Sequence, residues 1–183
     1  APLAALPFRV SWVITTALMV AGALGALALL RPVLRILQTA WWPCAALSLT
    51  FVPLFVGVGL GQNTAVSLLL IAAAWRLLHD DRDAAAGAAL GLLLFKPQLA
   101  IPLLVFVAAG GRWKAIGSAA LVGAATWVVN AAILGVGWVG AWLDGLSAFA
   151  DIDRASNAAN TVSLLGVADT LGNGATAAKG VAV

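Results

Sequence analysis

The stretch SWVITTALMVAGALGALALL, Ser11–Leu30, contains no charged side chain and no proline. It reaches the roughly 20 residues that a helix needs to cross a bilayer. In hydrocarbon no water satisfies backbone N–H and C=O groups, so a helix that bonds them internally is the conformation open to such a run. Comparable runs recur at Trp41–Leu60, Asn63–Leu78, Ala84–Phe95, Gln98–Ala109 and Ala115–Ile133. Pro43 and Pro53 are expected to bend the run from Trp41. The expected fold class is all-α, a polytopic transmembrane helical bundle with about six membrane segments.

Composition agrees with a lipid solvent. The chain is 63% hydrophobic and 9% charged, where soluble domains carry about a quarter charged residues. Residues 1–183 read as a single transmembrane domain. The membrane segments lie within residues 10–137, and residues 138–183 form an outer-face amphipathic helix and loop. The opening APLAALPF has no Met, so a piece of a longer protein is expected.

Several function classes fall away. The net charge is +3, but the basic residues are scattered between spans, and no patch suits nucleic acid. Cys44 is the only cysteine, which rules out an intrachain disulfide. His79 is the only histidine, which argues against a histidine-based metal site or triad. No cofactor is expected, and no ligand set argues for a divalent metal.

Alternating spans put Arg31, Arg35, Arg76, Arg82, Arg112 and Lys114 on one side, and Arg9, Lys96 and Arg154 on the other. The positive-inside rule makes the first side cytoplasmic. GLGQNT, FKPQ and the Asp-bearing tail then share the outer side. This arrangement needs a turn at Lys96-Pro97. The rival is one kinked helix over Ala84–Ala109, which would separate HDDRD from GGRWK across the membrane. The turn is the favoured reading.

The arms of that hairpin are short: twelve apolar residues make about 18 Å of helix against a hydrocarbon core of about 30 Å. Lys96 is therefore expected in a recess below the outer surface, where irregular backbone is tolerated only inside protein or beside a cavity. Gly87 and Gly91, spaced as GxxxG, allow this arm to pack closely on a neighbour. A lysine at that depth ordinarily faces a cavity, although a snorkelling lysine at a helix end is the bland alternative. Pro97 fits the first turn of the next helix. Asn63 suits the N-cap of the helix after GLGQNT. Lys96, Gln98, Gln62 and Asn63 are the candidate phosphate-binding residues, set at two helix N-termini.

In the tail, Trp138, Trp142, Leu146 and Phe149 recur on one helical face, which suits an interfacial anchor. Asp151 and Asp153 are weak candidates for a metal or a general base, and a solvated loop is the simpler reading. HDDRD reads as a charged cap and loop. Broken helices inside a membrane also occur in transporters, so a transporter with an anion site is the alternative. No internal repeat supports it.

GLGQNTAVSLLLIAAAWRLLHDDRDAAAGAALGLLLFKPQLAIPLLVFVAAGGRWKA holds, in order, a GQ-N turn, an A-G-x-x-x-G helix ending in K-P, and an R-W loop. NTVSLLGV follows after a long polar segment. Over about Gly59–Gly172 the sequence resembles glycosyltransferase family 87, a branch of the GT-C superfold. The resemblance implies a multi-pass enzyme of the bacterial plasma membrane, active on its outer face. It implies inverting transfer of mannose or arabinofuranose from a polyprenyl-phosphate sugar to a lipid-linked or glycan acceptor. It adds Asn160 and Ser163 as candidate substrate contacts. It also implies a catalytic Asp in a first outer loop ahead of Ala1, a place that Asp151 and Asp153 do not occupy.

Overall fold

The computed structural model of the chain describes residues 6–52, 56–57 and 62–157. Among these residues the chain is all-helical. The helices are α1 (Phe8–Leu30), α2 (Arg35–Thr39), α3 (Trp41–Thr50), α4 (Thr64–His79), α5 (Asp83–Leu92), α6 (Pro97–Ala109), α7 (Trp113–Leu134) and α8 (Trp138–Asn157). A short 3₁₀ turn, Leu93–Phe95, follows α5. The chain divides between Trp127 and Val128 into two compact units. The α8 helix belongs to the second and is described by itself.

The second apolar run departs from expectation. The helix from Trp41 ends at Thr50, and Phe51 is extended at ψ 113°. Pro53, whose ring cannot lie over the Leu49 carbonyl of a continuing helix, supplies the reason. Pro43 does not break the helix. It falls in the first turn, where its missing N–H has no helical partner to lose.

The hairpin is present as expected. The α5 helix tightens into the 3₁₀ turn, Lys96 takes φ −125° and ψ 78°, and Pro97 opens α6. Lys96 is extended because a residue before proline is excluded from the helical region. At the other end, Arg112 opens α7's approach and its Nη1 donates to Asp83 at 2.7 Å and Asp81 at 3.0 Å. HDDRD and GGRWK therefore meet at one end of the unit, and the rival single kinked helix is excluded.

Both loops at that end are built on one motif. Arg82 N–H bonds the Leu77 carbonyl while Asp81 N–H bonds Leu78. Arg112 N–H bonds Val107 while Gly111 N–H bonds Ala108. Each is a Schellman termination, whose pivot residue is left-handed. Gly111 sits there at φ 72° and Asp81 at φ 53°. Asp tolerates this region, whereas a β-branched side chain does not. Asp81→Val is expected to cost about 1–2 kcal/mol, and Asp81→Gly much less. Thermal unfolding of the two variants in one detergent checks the order.

Helix directions follow from close contacts. A Cβ on Gly22 would lie 3.4 Å from the Ala65 carbonyl, and one on Gly25 3.3 Å from Leu69. The two chains advance together, so α1 and α4 run parallel, with Met19, Ala23 and Ala65 buried between them. On the other side, Gly87 abuts the Ala115 carbonyl and Gly91 abuts Ala119. The GxxxG stripe of α5 thus seats α7, also in parallel. Ser118 Oγ donates to the Ala84 carbonyl at 2.7 Å and closes the start of this seam.

What is buried is small. Ala74, Ala86, Ala89, Ala100, Ala115 and Ala119 fill the interior with Leu90 and Leu93. Large side chains such as Trp12, Leu121, Ile133 and Phe106 face outward. Water does not favour that distribution, but a bilayer does, since small residues let helices approach and lipid solvates the rest. Two helices, Phe8–Leu30 and Trp113–Leu134, are long and apolar enough to cross a membrane, with mean hydropathies of 2.3 and 1.6. The helices Thr64–His79 and Pro97–Ala109 are shorter.

Candidate functional site

The α4 and α5 helices are antiparallel neighbours joined by the Asp80–Arg82 loop. The 16 residues of α4 rise about 24 Å. The 10 residues of α5 and the 3 of the 3₁₀ turn rise about 21 Å together. Lys96 and the N-terminus of α4 therefore lie at the same end of the unit, with Lys96 slightly the deeper. This is the end opposite Arg112. The structure thus gathers Lys96, Gln98, Gln62 and Asn63 at one end of the helices. No hydrogen bond or ion pair among the described residues joins the four side chains to one another.

Lys96 is half-buried. Its backbone is fully used: its N–H bonds the Leu93 carbonyl, and its own carbonyl accepts from Leu99 and Ala100. Its ammonium has no partner among the described residues. The N-terminus of α6 is poorer in donors than the sequence implied. Pro97 has no N–H, and Leu99 and Ala100 are engaged by Lys96. Gln98 alone retains a free helix-end amide, so the positive charge here rests on Lys96. Pro102 sits inside α6 and removes the N–H that would bond the Gln98 carbonyl.

Asn63 occupies the N-cap of α4, but its side chain makes no capping bond. Its carbonyl instead accepts from the N–H of Ser67 at 3.1 Å and from the Ser67 hydroxyl at 3.3 Å. Gln62 and Asn63 are exposed at that end, whereas Ala65 and Ser67 in the first turn of α4 are buried.

Asp151 and Asp153 lie within α8, not in a loop. Asn160 and Ser163 lie outside the described residues. Trp142 and Leu146, four residues apart and both exposed, give α8 the apolar stripe read from the sequence.

The charged cluster at the opposite end was not foreseen. Asp83 does not cap α5; it pairs with Arg112, as does Asp81. Arg76 pairs with Asp80 at 2.9 Å along α4. Hydrogen bonds from Arg112 to Asp83, then to Asp81, hold the guanidinium pKa above its ordinary value. A raised pKa contributes stability below the unfolded value and loses it only as pH passes the folded one. For arginine that window lies beyond working pH, so its charge does not change there. The sequence signal was two acids and an Arg, each beside a helix stop. Only the return of α6 brings them together.

The family model of glycosyltransferase family 87 matches residues 1–183. The chain belongs to glycosyltransferase family 87. Membership implies membrane glycosyltransferase activity on lipid-linked substrates, and the two long apolar helices agree with membrane association. No curated protein and no solved structure matches the chain. Nothing in these comparisons supports the transporter alternative.

Proposed function

We propose that this family 87 chain is part of a multi-pass bacterial plasma-membrane enzyme. It transfers mannose or arabinofuranose from a polyprenyl-phosphate sugar to a lipid-linked or cell-envelope glycan acceptor. The reaction takes place at the outer face, the end that carries Lys96. The single observation behind this reading is the half-buried Lys96, without a partner among the described residues, at a helix break opposite the basic loops.

In an inverting transfer the acceptor hydroxyl attacks the anomeric carbon and its proton passes to a carboxylate. The bond from the anomeric carbon to the phosphate oxygen breaks, and its electron pair stays on the phosphate. Negative charge grows there, and the Lys96 ammonium stabilises it. Gln98, Gln62 and Asn63 supply neutral donors around it, and Asn160 and Ser163 contact substrate. No metal enters the scheme.

The test uses the full-length protein in membranes with radiolabelled polyprenyl-phosphate mannose, and in parallel the arabinofuranose donor. Label is expected in a lipid or glycan product from one of them. No transfer from either overturns the donor assignment.

A further inference from the structure

A gap separates α4 from α6. Leu90 of α5 forms its floor, Ile71, Ala74 and Leu103 its walls, and the cavity measures about 390 Å³. Trp75 and Phe106 stand at its rim, 52% and 77% exposed. It continues past them into a space of about 280 Å³ that ends at His79, Gly110 and Arg112. The groove is apolar along its length and charged only at that mouth.

We propose that this groove holds one hydrocarbon chain of a zwitterionic phospholipid, drawn from the leaflet on the basic-loop side. Three observations carry this inference. The first is length. From Ile71 to His79 α4 rises about 12 Å, close to one leaflet's half of a hydrocarbon core of about 30 Å. A packed helix would need a groove through the full thickness, whereas a lipid tail needs one leaflet. The second is filling. An apolar gap does not hold water, and leaving it empty forfeits dispersion contacts along both walls.

The third is charge at the mouth. Arg112 uses only Nη1 for Asp81 and Asp83, and its other nitrogens have no partner among the described residues. His79 stands beside it with 55% of its side chain exposed, and the Asp81 carboxylate is 86% exposed. A phosphate meets Arg112 and His79, while an ammonium meets Asp81. The mouth carries both signs, with Asp80 paired to Arg76 and with Asp81 and Asp83 paired to Arg112, so a headgroup that itself carries both signs finds a partner for each. The inference rests on the chain lying in a membrane and is independent of sugar transfer.

The experiment places the full-length protein in nanodiscs of equal phosphatidylethanolamine and phosphatidylglycerol. Native mass spectrometry counts retained lipid, and a diazirine-tailed phosphatidylethanolamine maps its contacts. Wild type is expected to retain phosphatidylethanolamine severalfold over phosphatidylglycerol, with label concentrated at Trp75 and Phe106. Ala74→Phe, which fills the wall, is expected to lose both. Should that variant fail to fold, Phe106→Ala on the exposed rim is expected to lower retention without touching the core. Preference for phosphatidylglycerol, label spread evenly onto Leu121 and Trp127, or unchanged retention in the variant that folds overturns the proposal. None of these outcomes depends on whether the protein transfers sugar.

Discussion

Lys96→Ala in the full-length protein is expected to lower sugar transfer by about 10²-fold, the usual loss when one preorganised donor to a developing negative charge is removed. The physical reason lies in the turn itself. The Pro97 ring and the engaged Leu99 and Ala100 amides leave α6 little positive potential of its own. No second cation is described beside Lys96 to compensate. The loss should fall on turnover more than on donor KM, because the phosphate gains its extra charge only as the bond breaks. Lys96→Arg keeps the charge and should retain more activity than Lys96→Met, which keeps only the length. The side chain packs no core position, so all three variants should elute as wild type does in detergent. Near-normal turnover of Lys96→Ala removes this residue from the mechanism.

Gly87→Ala is expected to abolish stable folding, an effect out of proportion to one methyl group. Its Cβ would overlap the Ala115 carbonyl, and at Gly91 a Cβ would stand 2.7 Å from the Ala119 carbonyl. Both obstacles are backbone and cannot rotate away. Overpacking a core ordinarily costs about 1–3 kcal/mol through side-chain shifts, but here α5 and α7 must separate along their whole seam. Separation also breaks the bond from Ser118 to Ala84 and strains the Arg112 pairs. Gly117→Ala and Gly140→Ala are the controls, since nothing lies within 4 Å of a Cβ at either. Ala is the better helix former by up to about 1 kcal/mol, so the controls should melt at or above wild type. Melting curves of the purified variants in one detergent decide it. A stable, wild-type-like Gly87→Ala overturns the described seam.

The sequence alone determined the helical class, the limits of most helices and the break at Lys96-Pro97. These depend on local physics. Apolar runs without water must be helical, proline excludes its predecessor from the helix, and basic residues sort to one side. The GxxxG spacing also announced a close neighbour for α5, although not that the neighbour would be α7. Where local signals competed, the reading was less exact. Pro43 sits harmlessly in a first turn, while Pro53 halts a helix that composition alone would extend. DIDRASN is polar enough for a loop, yet it continues α8.

Only the tertiary structure decided which distant groups meet. Asp81, Asp83 and Arg112 converge because α5 and α6 rise and return by nearly equal lengths, a sum that no single window contains. The groove between α4 and α6 exists because α5 holds them apart with Leu90 between. The single-sequence pattern shows only apolar residues on both helices. Lys96 and Asn63 share one end of the unit because α4 and α5 are antiparallel and similar in length. The sequence determines what each segment must be in lipid. Long-range packing determines which charges lie beside which, because that depends on helix lengths and directions added together.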